Sequence, residues 1–206
     1  TPIYCGCRRL GLARAFGGAF APFFWILQHR ESMASAVKFE AWLRPDASGL
    51  LCEPGGFHID PLRPVERAVI THGHSDHARH GHGAVLATSE TIAIMKARLG
   101  ADAAGSFQAL PYGETLTLGS TRVRLAPAGH ILGSAQVVID HGGRRAVVSG
   151  DYKRRPDPTC APFELVACDL FVTEATFGLP VFRHEPDARE IGRLLASLAA
   201  FADRTH

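Results

Sequence analysis

A run of metal-binding side chains directly follows an apolar stretch in the first half of the chain. Segment 68–70 reads AVI, which is typical of a buried β-strand, and segment 71–77 reads THGHSDH. Segment 71–77 therefore contains three imidazole side chains and one carboxylate: His72, His74, Asp76 and His77. Neutral imidazole together with carboxylate suits Zn²⁺ or Mn²⁺, and a strand end holds such a loop rigidly. The run predicts a metal site; the alternative is a polar, His-rich surface loop.

Two later residues strengthen the metal interpretation. His130 lies between glycines in AGHILGS, 128–134, where glycine lets the backbone approach a ligand closely. Asp151 follows the apolar stretch 146–148, which comes after a Gly-Gly hairpin turn. Taken alone, His130 suits an ordinary loop and Asp151 suits a turn or a helix cap. Together with 71–77, however, they give three strand ends that each deliver metal-binding side chains.

The three motifs resemble those of the metallo-β-lactamase fold, an α/β fold built as an αββα sandwich. Its two-metal site takes an HxHxDH loop, a later His, a bridging Asp and a final His, and all but the last have a match. The resemblance implies that a first ion is bound by His72, His74 and His130. It implies that a second ion is bound by Asp76 and His77, with Asp151 bridging the two ions.

Asp60, at the end of the strand-like segment 57–60, matches the acidic position behind the site in this fold. The resemblance implies that Asp60 orients a ligand by hydrogen bonding and does not bind metal itself.

Further motifs narrow the resemblance to the β-CASP nucleases. Segment 172–178 reads VTEATFG, similar to the acidic motif that opens the β-CASP insert, and the GHxLG pattern around His130 is also closer to these nucleases. Segments 42–60, 150–158 and 173–181 look most like the bacterial DNA-ligase-associated exonucleases, which are relatives of Artemis. The similarity runs from about Val37 to the C-terminus.

This resemblance implies metal-dependent phosphodiester hydrolysis by a DNA-end exonuclease of DNA repair or ligation. Two divalent ions, Zn²⁺ or alternatively Mn²⁺, would activate a water and clamp the phosphate oxygens. The catalytic residues implied are Asp76 and Glu174, with Glu174 steering a ligand or a protonated partner toward the leaving oxygen. The partners implied are DNA and a DNA ligase or helicase from the same operon.

Charge places limits on how DNA would be bound. The formal net charge is +2 with His neutral, so a generally basic DNA-coating protein is excluded and phosphate affinity has to be local. Lys153, Arg154 and Arg155 form the candidate substrate-binding run because they follow Asp151; the alternative is a solvated loop. Five cysteines without CxxC pairs favour reduced thiols and a cytoplasmic protein, and no membrane attachment is expected.

Three segments are expected along the chain. Residues 1–32 are expected to be upstream-translated sequence with Met33 as the true start, the alternative being a secretory targeting segment. Residues 33–178 would form the metallo-β-lactamase domain, and 179–206 the start of a β-CASP region. Because the family's remaining His motifs have no match here, we expect a C-terminally truncated piece that is inactive or weak alone.

Three other functions stay open at this point. An RNA-processing β-CASP nuclease uses the same ligand set, so the metal motifs do not choose between RNA and DNA. A small-molecule hydrolase of the glyoxalase or lactamase type would lack the motif around Glu174. A non-catalytic zinc-binding subunit usually shows a broken HxHxDH run, whereas this run is intact.

Local patterns predict two helices and several half-buried strands. Ser89 is expected to cap a helix that runs to Leu99 and ends before Gly100. Segments 115–118 and 122–125 alternate apolar and polar residues, which is typical of half-buried strands. A second helix is expected from Asp187 onward, and its apolar positions are predicted to form a buried face: Ile191, Leu194, Leu195 and Leu198.

Overall fold

Two β-sheets form the larger of the two compact units into which the chain divides, Thr1–Glu174 and Ala175–His206. The computed structural model describes residues 10–16, 24–29, 38–176 and 187–202. In chain order the strands are β1 Leu10–Phe16, β2 Phe24–His29, β3 Leu43–Asp46, β4 Gly49–Cys52, β5 Phe57–Ile59, β6 Arg67–Val69, β7 His82–Ala87, β8 Ala104–Ala109, β9 Thr115–Leu118, β10 Thr121–Pro127, β11 Ala135–His141, β12 Arg144–Val148 and β13 Leu170–Glu174.

The strand order shows how distant parts of the chain are brought together. One sheet has the order β1-β2-β13-β12-β11-β10-β9, and the other has the order β3-β4-β5-β6-β7-β8. β12 pairs parallel with β13, and β5, β6, β7 and β8 run parallel in the second sheet. Because parallel strands end at the same edge of a sheet, the segments that follow β5 and β6 lie side by side.

The main core lies between the two sheets. Side chains of alternate residues point into it, as Val123 and Leu125 of β10 and Val137 and Ile139 of β11 do, and all four are fully buried. From the other sheet come residues such as Phe57, which is also buried. The two facing sheets confirm the predicted α/β fold class, and the strands expected at 115–118 and 122–125 are confirmed as β9 and part of β10.

The outer face of the six-stranded sheet is covered by the helix α1, Ser89–Leu99. Ile92 and Met95 of α1 are buried against that sheet, and Gly100 follows the helix as predicted. The predicted cap was wrong by one residue. Thr88, not Ser89, is the N-cap, and its hydroxyl accepts a hydrogen bond from the backbone N–H of Thr91. Both residues can cap a helix, so composition alone could not separate them.

The smaller unit contains the helix α2, Asp187–Ala202, which confirms the predicted second helix. Its predicted burial is wrong for the residues described, because the apolar side chains are each more than half exposed: Ile191 56%, Leu194 59%, Leu195 59% and Leu198 56%. Helical spacing shows which side of a helix is apolar. Burial also needs a second apolar surface, about which the spacing carries no information.

Residues 1–32 contain two strands of the seven-stranded sheet. β1 pairs with β2, and β2 pairs antiparallel with β13. The origin proposed for this segment stays a prediction, as do the segment boundaries at 32 and 178. Among the described residues, no helix is long and apolar enough to cross a membrane.

Candidate metal centre

Three loops at one edge of the sheets bring the candidate ligands together. The loop after β6 carries His72 and His74, the loop between β10 and β11 carries His130, and Asp151 follows β12. A direct hydrogen bond from the backbone N–H of Ala135 to the carbonyl of Thr71, 2.8 Å long, joins the first two loops. The residues come from both sheets, so the sandwich itself sets their spacing.

Four of the predicted ligands converge on one point. One ligand atom each from His72, His74, His130 and Asp151 lies within 4.8 Å of all the others. Nε2 of His72 is 3.0 Å from Nδ1 of His74, which is 3.2 Å from Nε2 of His130. In a tetrahedral zinc site with bonds of about 2.05 Å, ligand atoms lie about 3.3 Å apart. The cluster therefore fits a divalent ion in both spacing and donor chemistry.

The two carboxylate oxygens of Asp151 face different neighbours. Oδ2 lies 3.7 Å from Nε2 of His72 and 3.7 Å from Nε2 of His130. Oδ1 lies 3.4 Å from Nε2 of His77, which in turn is 3.6 Å from a carboxylate oxygen of Asp76. Asp151 thus stands between the three-histidine cluster and the Asp76–His77 pair, which is the position that a bridging carboxylate needs.

Asp60 lies behind these residues and accepts three hydrogen bonds. Its Oδ1 accepts from the backbone N–H of Thr71 at 2.8 Å, and its Oδ2 accepts from the Thr71 hydroxyl at 2.6 Å. Oδ2 is also 2.8 Å from Nδ1 of His77. Asp60 has a positive φ of 44°, which is uncommon for a residue other than glycine. Asp60 adopts this conformation directly after the end of β5, where its carboxylate points toward the candidate ligands.

Thr71 determines which nitrogen of His72 carries the proton. Its hydroxyl has one proton, which it donates to Asp60, so toward Nδ1 of His72 at 3.1 Å it can only accept. Nδ1 must then be the protonated nitrogen of a neutral His72 ring. Its Nε2 lone pair is left directed at the cluster, as metal binding requires.

Burial and charge divide the histidines into two kinds. Burial lowers the pKa of His72 to about 4, and the adjacent charge of His77 adds to that shift, so His72 is neutral at pH 7. Burial lowers the pKa of His130 as well. Burial would also lower the pKa of His77, but the hydrogen bonds of His77 with Asp151 and Asp60 outweigh this effect and raise its pKa to about 10. In the metal-free chain His77 therefore carries the proton that balances the two carboxylates.

The other predicted site residues are more exposed than His72 and His77. Asp76 is mostly exposed, and Glu174 ends β13 in a half-buried position from which its charge reaches His130. Lys153 forms an ion pair with Asp157 at 3.0 Å, while Arg154 and Arg155 are exposed.

Two residues of the site had no role assigned from the sequence. Thr71 sets the ring of His72, and Ser134 shapes the other loop because its Oγ accepts from the backbone N–H of His130 at 3.0 Å and of Ile131 at 3.2 Å. Both lie inside the motifs that identified the ligands. A hydroxyl residue within four positions of a predicted ligand was the available signal in the sequence.

Sequence comparison gives relatives above 30% identity, including the following two. A probable DNA ligase of Opitutus terrae is 35% identical over 159 residues, covering 76% of this chain and 15% of that protein. Ribonuclease TTHA0252 of Thermus thermophilus is 34% identical over 151 residues, covering 59% of this chain and 34% of that protein. An endoribonuclease YSH1 of Gibberella zeae is 27% identical over 215 residues, covering 87% of this chain and 25% of that protein.

The chain is a relative of the β-CASP nucleases. This confirms the resemblance read from the motifs, and the chain spans about a third or less of the length of these relatives. No protein-family model matches. Among solved structures, Zn²⁺-bound PqqB from Methylobacterium extorquens is 17% identical with a TM-score of 0.34, covering 44% of this chain and 40% of that chain.

Proposed function

We propose that this chain carries a two-metal centre for the hydrolysis of phosphodiester bonds at DNA ends. The observation that supports it most is the position of Asp151, with one oxygen toward His72 and His130 and the other toward His77. A carboxylate shared by two adjacent cation sites would hold two ions side by side, where they can stabilise both the attacking and the leaving oxygen of an in-line displacement at phosphorus.

The proposed ligand sets follow the geometry. The three histidines of the cluster would hold the first ion and the Asp76–His77 pair would hold the second, with Asp151 shared between them. Zn²⁺ is the proposed metal and Mn²⁺ the alternative. When bound, the two ions lower the pKa of a water and clamp the phosphate oxygens. His77 would lose its Nε2 proton on binding and keep its Nδ1 hydrogen bond to Asp60.

Residues around the ligands would handle the proton and the substrate. Asp76 is exposed beside His77, so its carboxylate can both ligate an ion and orient the attacking water. Glu174 lies close enough to act electrostatically on His130, and we propose that it steers a protonated group toward the leaving oxygen. Lys153, Arg154 and Arg155 follow Asp151 and are proposed to bind the phosphate backbone.

The DNA assignment is supported by the relative from Opitutus terrae, whose name places it with DNA ligases. A DNA ligase or helicase is accordingly the proposed partner, and repair or ligation of DNA in the cytoplasm is the proposed setting. A second candidate, RNA cleavage, is favoured by the names of the ribonuclease and endoribonuclease relatives. We further propose that the chain reaches full activity only within a longer protein, since its relatives are several times longer.

The deciding experiment compares matched DNA and RNA. The metal-loaded chain, and a longer protein that contains it, are incubated with end-labelled DNA duplexes, DNA single strands and RNA of the same sequence. We expect metal-dependent release of nucleotides from DNA ends, slower with the 206-residue chain, and abolished by Asp151→Ala and by EDTA. Internal cleavage of RNA with intact DNA would instead support the second candidate.

Two further outcomes would overturn the proposal. Turnover of a thioester or a β-lactam without cleavage of either nucleic acid would place the site among small-molecule hydrolases. Stoichiometric metal binding with no turnover of any of these substrates by either protein would indicate a non-catalytic zinc-binding subunit.

A further inference from the structure

We propose that α1 is a brace that positions both metal-binding loops, and that Arg98, Thr88 and Thr91 are positioning residues of the metal centre. The inference rests on the proposed centre but concerns residues outside its ligand set. The two ends of this one helix contact two loops that belong to different sheets. Each contact is made by side-chain donors on a backbone carbonyl within three residues of a candidate ligand.

At the C-terminal end of α1, Arg98 holds the first loop. Its Nη1 donates to the carbonyl oxygen of Gly73 at 2.5 Å, and Gly73 lies between His72 and His74. A charged donor makes this a stronger bond than a neutral one would be. The bond therefore limits rotation of the peptide group between Gly73 and His74.

Ile94, one turn earlier on α1, packs against the same glycine. A Cβ built on Gly73 would lie 2.5 Å from Cγ2 of Ile94, closer than real side chains approach. Gly73 has no positive φ, so its lack of a side chain is needed for this contact and not for backbone conformation. The loop thus lies directly on the helix, in contact with both Arg98 and Ile94.

At the N-terminal end, two threonines hold the second loop. The hydroxyls of Thr88 and Thr91 lie 2.7 Å and 3.0 Å from the carbonyl oxygen of Gly133, which is three residues after His130. Both threonines are fully or almost fully buried. A Cβ on Gly133 would lie 2.7 Å from the backbone nitrogen of Thr91, so the loop and the helix are in close contact here too.

The arrangement explains how a helix that supplies no candidate ligand can control the ligands. α1 is 11 residues long, or about 16 Å, and its middle is anchored in the core through Ile92 and Met95. Ligand atoms in a metal site have to be held within about 0.5 Å of their working positions. Because α1 is rigid and is bonded to both loops, it limits the movement of one loop relative to the other. Neither loop could provide this restraint by itself.

The first test removes the Arg98 donor and keeps a flexible, unbranched side chain at that position. For Arg98→Met we expect the dissociation constant for Zn²⁺, measured by competition with a chelator, to rise by about 10-fold or more, the range of outer hydrogen-bond partners of metal ligands. Lys96→Met is the control, since it removes the same charge from the same helix, where Lys96 lies over Phe107. Arg98→Lys should recover part of the affinity.

The second test uses the contact between Gly73 and Ile94. Gly73→Ala should weaken Zn²⁺ binding, and adding Ile94→Ala should recover much of it, because the 2.5 Å contact is with a side-chain methyl that the second change removes. Thr91→Val, which keeps the volume and loses the hydroxyl, tests the other end. Thermal unfolding of every variant, without metal, separates a loss of fold from a loss of positioning.

Hydrogen exchange in the metal-free chain separates this inference from the proposed function. Arg98→Met should speed exchange at the amide of Ala78, which donates to His74 within the first loop, while Lys96→Met should not. Equal Zn²⁺ affinity and equal exchange for the two variants would rule out the positioning role of α1 but would leave the proposed metal centre unaffected. Failure of the unsubstituted chain to bind any divalent ion would overturn the centre, and with it the role assigned to α1.

Discussion

Oδ2 of Asp60 lies 2.8 Å from Nδ1 of His77, and the same oxygen accepts the hydroxyl proton of Thr71 at 2.6 Å. One buried carboxylate therefore orients two candidate ligand rings, His77 directly and His72 through Thr71. Its pKa is lowered because the hydrogen bond and charge of His77 outweigh the effect of burial, which alone would raise it. Asp60 is thus ionised at neutral pH, with its charge offset by His77.

Replacing Asp60 by Asn should weaken metal binding without removing a ligand. The amide keeps the shape but puts an N–H₂ group toward donors that need acceptors, so the rings of His72 and His77 lose their orientation. We expect the Zn²⁺ dissociation constant to rise about 10- to 100-fold. Chelator competition measures it. Asp140→Asn, at a carboxylate paired with Arg145, is the control and should leave the affinity unchanged.

Thr71→Val should change the tautomer of His72. Without the hydroxyl, Nδ1 of His72 has lost its acceptor at 3.1 Å, and the proton can move to Nε2 and block metal binding. The expected result is a shift of the His72 ring ¹⁵N resonances and a fall in Zn²⁺ affinity of about 10-fold. Thr71→Ser keeps the hydroxyl and should behave like the unsubstituted chain. Identical spectra for Val and Thr would contradict the assignment.

Asp151→Ala should act mainly on the second ion. The cluster of three histidines remains for the first ion, whereas the second would keep only Asp76 and His77. We expect the unsubstituted chain to bind one Zn²⁺ tightly and a second more weakly, and the variant to lose the weaker ion first. Elemental analysis after dialysis gives the stoichiometry, with the exposed Asp102→Ala as control. Two ions retained by Asp151→Ala would rule out a bridging role.

Neutralising the exposed part of the basic run should flatten the salt dependence of DNA binding. Arg154→Gln with Arg155→Gln removes two charges, so the slope of log affinity against log salt should fall by about 1.8 for duplex DNA. Lys153→Gln alone removes one charge, so the slope should fall by about half as much, about 0.9. Fluorescence anisotropy in Ca²⁺, with metal content measured in parallel, provides the test. An unchanged slope would indicate that the basic run is a solvated loop that does not bind DNA.

Cys52 should react with alkylating reagents only when the chain unfolds. It is fully buried in the core between the sheets, and burial raises its pKa to about 11. At pH 8 about one thiol in a thousand would be ionised even if reagent could enter. Peptide-resolved mass spectrometry should show Cys168, which is partly exposed, labelled at least about 100-fold faster than Cys52. In urea the two rates should become similar.

The sequence by itself predicted the candidate ligands, and it determined much of the local structure. HxHxDH after an apolar strand, His130 between glycines and Asp151 after a second strand are local patterns, and residue type and spacing carry their chemistry. The helix that ends at Leu99, the strand at 115–118 and the part of β10 at 122–125 follow from periodicity for the same reason. Even the cap of α1 was missed by only one residue, because Thr88 and Ser89 are chemically similar.

Only the tertiary structure decided how these pieces act on one another. His74 and His130 are 56 residues apart, and their 3.2 Å separation depends on how two sheets pack, which no local pattern encodes. The bond from Arg98 to Gly73 and the exposure of Leu194 on α2 likewise depend on what a surface meets. Hydrogen-bond direction and burial are properties of pairs of surfaces, whereas a sequence pattern describes one surface at a time.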